Sequence, residues 1–293
     1  MNKIIDAHTH YYPESVFSDP IAWANQNHEP HWASLVGPKS IQGWADISTM
    51  LKAMDDARVE KAVLLGWYWQ HQSSCTEQNE WYARCLKEAP DRFLAFAAVQ
   101  PAAGTRGFDE VRRRIDGGFV GIGEMLPQVQ GFEITSHPVW FDVCQWAETH
   151  GVPINIHVTE PAGHKYKGKV ETPLQSYIDL AELFPDLKLI LAHWGGGLPF
   201  YAMNPHCASK MKNVWFDTAA SPLIYSSKIW RAVIDMVGAD RILFGTDYPL
   251  KLHPAKSKVP AIKCLVDEVL EAGLKEEEQM QIFRGTAENL FDL

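Results

Sequence analysis

The sequence predicts a single (β/α)8 barrel over residues 1–293, with a long lid-like loop after its first strand. Three observations lead there. Eight short apolar or β-branched runs alternate with stretches of helical periodicity, and parallel strands need such crossovers. A length of 293 residues suits one α/β barrel, which commonly takes ~250. The first run ends in His8-Thr9-His10, where an open doubly wound sheet would place a Gly-rich phosphate turn.

The eight strand-like runs are Lys3–His8, Lys61–Gly66, Phe93–Val99, Phe119–Met125, Pro153–Val158, Leu187–His193, Val214–Thr218 and Arg241–Thr246. Of the helical stretches between them, the clearest is Ile262, Leu265, Val266, Val269 and Leu270, spaced i, i+3, i+4, i+7, i+8. Pro260 stands near its start and Gly273 near its end. Val139, Trp140, Val143, Cys144 and Ala147 form a similar stripe closed by Gly151, with Cys144 as core filling. From Tyr11 to Asp46 no periodicity appears until Ile47, Leu51 and Met54. That stretch holds Trp23, Trp32 and Trp44, too aromatic for a solvated linker, so it is expected to cover one end of the barrel as a lid.

Composition removes several function classes. The chain is 46% hydrophobic and 22% charged, a globular balance. Its net charge of −9, without a Lys/Arg cluster, argues against a nucleic-acid partner. No apolar run approaches the ~20 residues of a membrane helix. The opening MNKIIDAHTH lacks the apolar core of a signal peptide. Five scattered cysteines with no CxxC pair fit a reducing cytoplasm. The partner is expected to be a small-molecule substrate, and the assembly a homodimer or other homo-oligomer.

The chemistry-bearing residues fall at strand ends. His8 and His10 close the first run, two positions apart and therefore on one face. His157 ends the fifth, His193 the sixth, and Asp247 follows the eighth. In such barrels the catalytic face lies at the strands' C-terminal ends. Imidazoles and a carboxylate converging there make a site for a catalytic divalent ion. Zn²⁺ suits His-rich ligation best, with Mn²⁺ as the alternative. Glu124 ends the fourth run and either bridges a second metal ion or orients a histidine. Trp67, His71, His164 and Trp194 are candidates for contact with substrate, and Gly195-Gly196-Gly197 lets the chain turn beside His193.

The motifs Ile5-Asp-Ala-His-Thr-His, Pro153-Ile-Asn-Ile-His, Leu191-Ala-His-Trp-Gly-Gly-Gly and Asp240-Arg-Ile-Leu-Phe-Gly-Thr-Asp-Tyr-Pro carry a resemblance. So does the ending Gly285-Thr-Ala-Glu-Asn-Leu-Phe. Together they resemble the amidohydrolase superfamily, in the amidohydrolase-related branch of aminocarboxymuconate-semialdehyde decarboxylase-like and hydrolytic enzymes. The resemblance implies His8, His10, His157 and Asp247 as metal ligands. It further implies His193 as a catalytic histidine, Asp247 as a proton relay, and one ion rather than two. Two reactions fit these residues. In a hydrolase, activated water cleaves an ester, lactone or amide. In a decarboxylase of an aromatic or unsaturated acid, fixed cations hold the carboxylated substrate. The long first loop offers only Lys39 as a cation, so hydrolysis is the expected activity.

Overall fold

A computed structural model describes residues 3–293. Eight parallel strands follow one another around a barrel in sequence order. They are β1 (Ile4–Thr9), β2 (Val59–Leu64), β3 (Phe93–Ala97), β4 (Gly121–Met125), β5 (Ile154–Ile156), β6 (Leu189–Leu191), β7 (Val214–Asp217) and β8 (Ile242–Leu243). The seam between β8 and β1 is bridged by Ala7 N–H to Phe244 O at 2.7 Å and Asp247 N–H to His8 O at 2.8 Å. Each expected run contains or overlaps its strand. The later strands are shorter than their runs because regular pairing stops where the chain splays at the C-terminal end. Single backbone bonds continue past it, such as His157 N–H to Met125 O at 2.7 Å and Ala192 N–H to Ile156 O at 2.9 Å. The functional side chains therefore stand on strand ends that are anchored but no longer regular.

One apolar cluster joins Ile5, Val63, Phe96, Ile190 and Leu243 to Leu290 and Phe291 of the C-terminal helix Thr286–Phe291. The Phe96 and Phe291 rings meet edge to face with centroids 5.6 Å apart. The space is filled so tightly that a Cβ on Gly121 would stand 2.4 Å from the Phe96 ring. Cys144 lies fully buried in a second cluster with Trp140 and Val143, as the stripe predicts, and all five cysteines are free thiols. Among the described residues, no helix is long and apolar enough to cross a membrane.

The stretch from Tyr11 to Asp46 differs from a loop. It folds into α1 (Glu14–Phe17), α2 (Pro20–Gln26) and α3 (Pro30–Leu35) before α4 (Ile47–Ala57) begins. Each is too short for an apolar stripe to show in the sequence, and α2 and α3 start on prolines that fit a helix's first position. Their aromatic residues pack inward: Trp32 meets Trp67 and Trp69 at 4.9 and 5.2 Å, and Trp23 meets Trp69 at 4.9 Å. Buried Glu29 fastens the segment to the start of α5 (Gln72–Glu88), accepting the backbone N–H groups of Gln70 and His71 at 2.9 and 3.1 Å.

Candidate active site

Five strand ends bring the expected donors together. His8 Nε2 and His10 Nε2 lie 3.2 Å apart, so their shared face holds. His10 Nε2 is 3.3 Å from Asp247 Oδ1. On the other side, His157 Nδ1 reaches Glu124 Oε1 at 2.7 Å and lies 3.0 Å from His193 Nε2. Glu124 stands between the two pairs, with Oε2 3.6 and 3.7 Å from His8 and His10 Nε2 and Oε1 3.3 Å from His193 Nε2.

Three of the imidazoles are oriented from behind. His8 donates from Nδ1 to Asp217 Oδ2 at 2.9 Å, His10 to Leu65 O at 3.0 Å, and His193 to Ala219 O at 3.0 Å. Each therefore turns Nε2 towards the common centre, as ligating histidines do when a second partner fixes their tautomer. Asp217, fully buried at the end of β7, holds more than His8. Its Oδ2 accepts from Asn155 Nδ2 at 2.9 Å and its Oδ1 from the backbone N–H of His193 at 3.0 Å. The motif reading missed Asp217, although a carboxylate closing Val214-Trp-Phe-Asp is the same signal that Glu124 gave on β4.

The chain reaches His193 through an unusual turn. From His193 to Gly197 the φ angles are 56°, 58°, 55°, 61° and 91°, a left-handed turn that non-glycine residues resist at about 1–2 kcal/mol each. Glycine is required at the next positions. A Cβ on Gly195 would lie 2.7 Å from the Phe216 ring, and one on Gly196 would lie 2.6 Å from Thr159 O. Asp247 also has a positive φ, 64°.

The charges of the cluster favour a cation. Burial opposes ionisation of Glu124, but His157 and His8 beside it hold its carboxyl well below the usual range. Asp247 and Asp217 are likewise lowered despite burial, by contacts with His10 and His8 for the first and mainly by His8 for the second. Burial also disfavours a charged His8, yet Asp217, Glu124 and Asp247 push it up to about 10. His193 rises to about 9, where Glu124 and Asp247 outweigh burial. Burial lowers His157, and Glu124 only partly offsets this. Three carboxylates thus draw protons onto two imidazoles, a balance a divalent ion would supply instead. Three donor groups, His8/His193/Asp247, His8/His10/Glu124 and Glu124/His157/His193, each gather their ligand atoms within 4.8 Å. The donor set fits a divalent metal ion.

A cavity of about 380 Å³ opens onto this cluster. Glu124, His157, His193 and Asp247 form one end, and Trp67, Tyr68, Ile41, Leu223 and Leu250 are among its walls. Tyr68 stacks on Trp67 at 4.1 Å and approaches His157 at 5.2 Å. Leu35, Lys39, Ser40 and Gln42, from the stretch that the sequence reads as a lid, also reach it. Of the four proposed substrate contacts, Trp67 and His164 line the cavity. His71 instead precedes α5, its ring 3.5 Å from Glu29. Trp194 turns away into the core, bonding Ser221 Oγ at 2.9 Å and packing on Trp230 at 4.9 Å.

A family model described as Amidohydrolase matches residues 5–293. The chain belongs to the amidohydrolase family. Curated relatives include gamma-resorcylate decarboxylases from Polaromonas sp. (strain JS666 / ATCC BAA-500) and Rhizobium sp. (strain MTP-10005). The first is 26% identical over 262 residues, covering 73% of this chain and 75% of that protein. The second is 29% identical over 220 residues, covering 59% and 64%. A solved dihydroxybenzoic acid decarboxylase from Polaromonas sp. JS666, with bound manganese and the inhibitor 2-nitroresorcinol, superposes with a TM-score of 0.71 at 20% identity. It covers 100% of this chain and 98% of its own. At that identity the likeness is one of fold, and it places this amidohydrolase chain among (β/α)8 barrels.

The expectation of hydrolysis is thereby corrected, since these curated relatives are decarboxylases. The long first loop supplies one cation, Lys39. In the folded amidohydrolase, Lys167 from the loop after β5 joins Lys39 around the cavity.

Proposed function

We propose that the chain is a metal-dependent, non-oxidative decarboxylase of an aromatic carboxylic acid carrying an oxygen substituent next to its carboxyl group. The observation that carries this reading is the intact donor cluster beside a cavity walled by Trp67 and Tyr68, in a chain whose curated relatives include gamma-resorcylate decarboxylases. His8, His10, His157 and Asp247 would hold one divalent ion. Manganese is supported by the manganese-bound barrel of the same fold, and zinc by the number of imidazoles. When bound, the ion supplies a Lewis-acid anchor for the carboxylate and its neighbouring oxygen.

The remaining work falls to side chains. Trp67 and Tyr68, stacked on each other, offer an aromatic wall against which a ring can lie. Asp247 and His193 both face the cavity, and one of them delivers the proton. That proton bonds to the ring carbon bearing the carboxyl group, the carbon–carbon bond breaks with its electron pair left on the ring, and CO₂ departs. His193 keeps Nδ1–H on Ala219 O, so Nε2 is its proton-transferring atom. Aliphatic side chains around the ring exclude water that would stabilise the carboxylate in its ground state.

Manganese- and zinc-loaded protein is to be screened against hydroxybenzoates, lactones and amides, recording CO₂ and acid release separately. CO₂ from an ortho-hydroxybenzoate is the expected result. Lactone or amide cleavage with no CO₂ from any acid overturns the reading.

A further inference from the structure

Three chain segments are tied together beside the cavity, and each contributes to its lining: residues 36–45, 161–170 and 250–262. Lys167 Nζ donates to Ser34 O at 3.2 Å, which ties the second segment to the end of α3. Lys251 ties the third to the first, donating from its backbone N–H to Ile41 O at 2.9 Å and from Nζ to Ser40 O at 3.0 Å. The three segments contain seven lysines and two histidines but no aspartate or glutamate, on a chain of net charge −9. These lysines outnumber the carboxylates that directly flank the segments, Asp46, Glu160 and Glu171, so the region forms a positive collar.

Five of the seven lysines are exposed, and two of those five also line the cavity. Lys39 and Lys167 do so from opposite segments. Neither has a carboxylate partner among the described residues, and the one hydrogen bond either side chain makes is that of Lys167 to Ser34 O. Lys169 differs, because Glu160 answers it at 2.8 Å. A substrate with a single carboxylate anchored beside Glu124, His157, His193 and Asp247 would leave the two ammonium groups without a counter-charge.

We propose that the substrate is a dianion, with a second carboxylate at the end away from the metal-binding cluster, held by Lys39 and Lys167. This rests on the decarboxylase reading for the first carboxylate and adds the class of acid that the site selects. The collar also draws such a dianion in from solution, since a rim of one sign raises the local concentration of the opposite charge. Lysine suits the task at a mouth, where a mobile ammonium can follow a charged group as it enters.

Binding of benzoate, isophthalate and terephthalate to manganese-loaded protein, measured by titration calorimetry at low salt, tests this. At least one dicarboxylate is expected to bind tenfold or more tightly than benzoate. In the double variant Lys39→Gln/Lys167→Gln that preference should fall to within twofold, with benzoate affinity unchanged. Lys256→Gln, which removes a collar charge outside the cavity, should keep it. Equal affinity for all three probes, no heat with any, or a preference that survives the double variant overturns the proposal. A dicarboxylate preference in a protein that releases no CO₂ from any hydroxybenzoate would support this inference while overturning the decarboxylase reading.

Discussion

The carboxylate of Asp217 accepts the Nδ1–H of His8 at 2.9 Å, and its second oxygen accepts the backbone N–H of His193 at 3.0 Å. One buried side chain thus orients a candidate ligand on β1 and fixes the turn that presents another imidazole after β6. Asp217→Ala removes both supports and leaves His8 free to rotate or change tautomer. Manganese affinity should fall about 10–100-fold, the usual cost of losing such a partner. Asp217→Asn, which keeps an acceptor, should recover part of it. Calorimetric titration of the three proteins checks this, and unchanged affinity in the alanine variant would contradict it.

Substitution of Glu124 tests how many ions the cluster holds. Its two oxygens address different histidine pairs, and the contact with His157 at 2.7 Å is a full hydrogen bond. We expect one ion per chain by elemental analysis, both in the native protein and in Glu124→Gln. Turnover should drop in the variant by about 10²-fold or more, because His157 and His193 lose their charged neighbour. Two ions in the native protein and one in the variant would make Glu124 a bridging ligand instead.

Metal affinity should depend steeply on pH. His8, at about 10, carries a proton at neutral pH in the metal-free protein, and an ion must displace it to use Nε2, whereas His193, at about 9, keeps its proton for transfer. Apparent affinity should therefore rise between pH 6 and 8 by up to about tenfold per unit for each proton released. The metal-free fold responds in the opposite sense. With both values raised above 6.5, the charged imidazoles stabilise the fold below that pH, and their contribution is lost as the pH rises through about 9 and 10. Titrations in buffers of different ionisation enthalpy count the protons, and a pH-independent affinity would refute the assignment.

Gly196 offers a test of the left-handed turn. With φ at 61° and Thr159 O standing 2.6 Å from its virtual Cβ, Gly196→Ala meets both strain and collision. Gly131, at φ 73° with open space around it, isolates the strain alone. Gly131→Ala should cost about 1–2 kcal/mol. Gly196→Ala should cost clearly more and also lower turnover, because His193 rides on the same turn. Equal denaturation midpoints for the two variants would rule out the collision.

Much of this was legible in the sequence, for physical reasons that differ by element. Strand ends were readable because buried parallel strands are continuous apolar runs, and a polar residue that closes one marks the catalytic face. That rule points to His8, His10, Glu124, His157, His193 and Asp247, and Asp217 at the end of β7 obeys it too. The helices α1 to α3 were hidden because 4, 7 and 6 residues are too few for a periodic pattern. Trp194 looked like a cavity residue through its place beside His193, but the left-handed turn sends the two side chains apart. The pairing of Lys39 with Lys167 at one cavity is tertiary, and no local pattern announces it.

The seam of the barrel has a consequence for folding. β8 contributes only two residues, and Thr246 Oγ1 must find Asp6 Oδ2, 240 positions away, at 2.6 Å. Joining the two ends of so long a chain carries a loop-closure cost that no local contact repays. His8 and His10 stand on one bank of that join and Asp247 on the other, so the donor set exists only after the ring has shut. An ion that binds the closed ring and not the open chain holds it closed by mass action. The clasp and the catalyst are then one object, and backbone amides at Ala7 and Asp247 would exchange their hydrogens at a rate set by how firmly it is fastened.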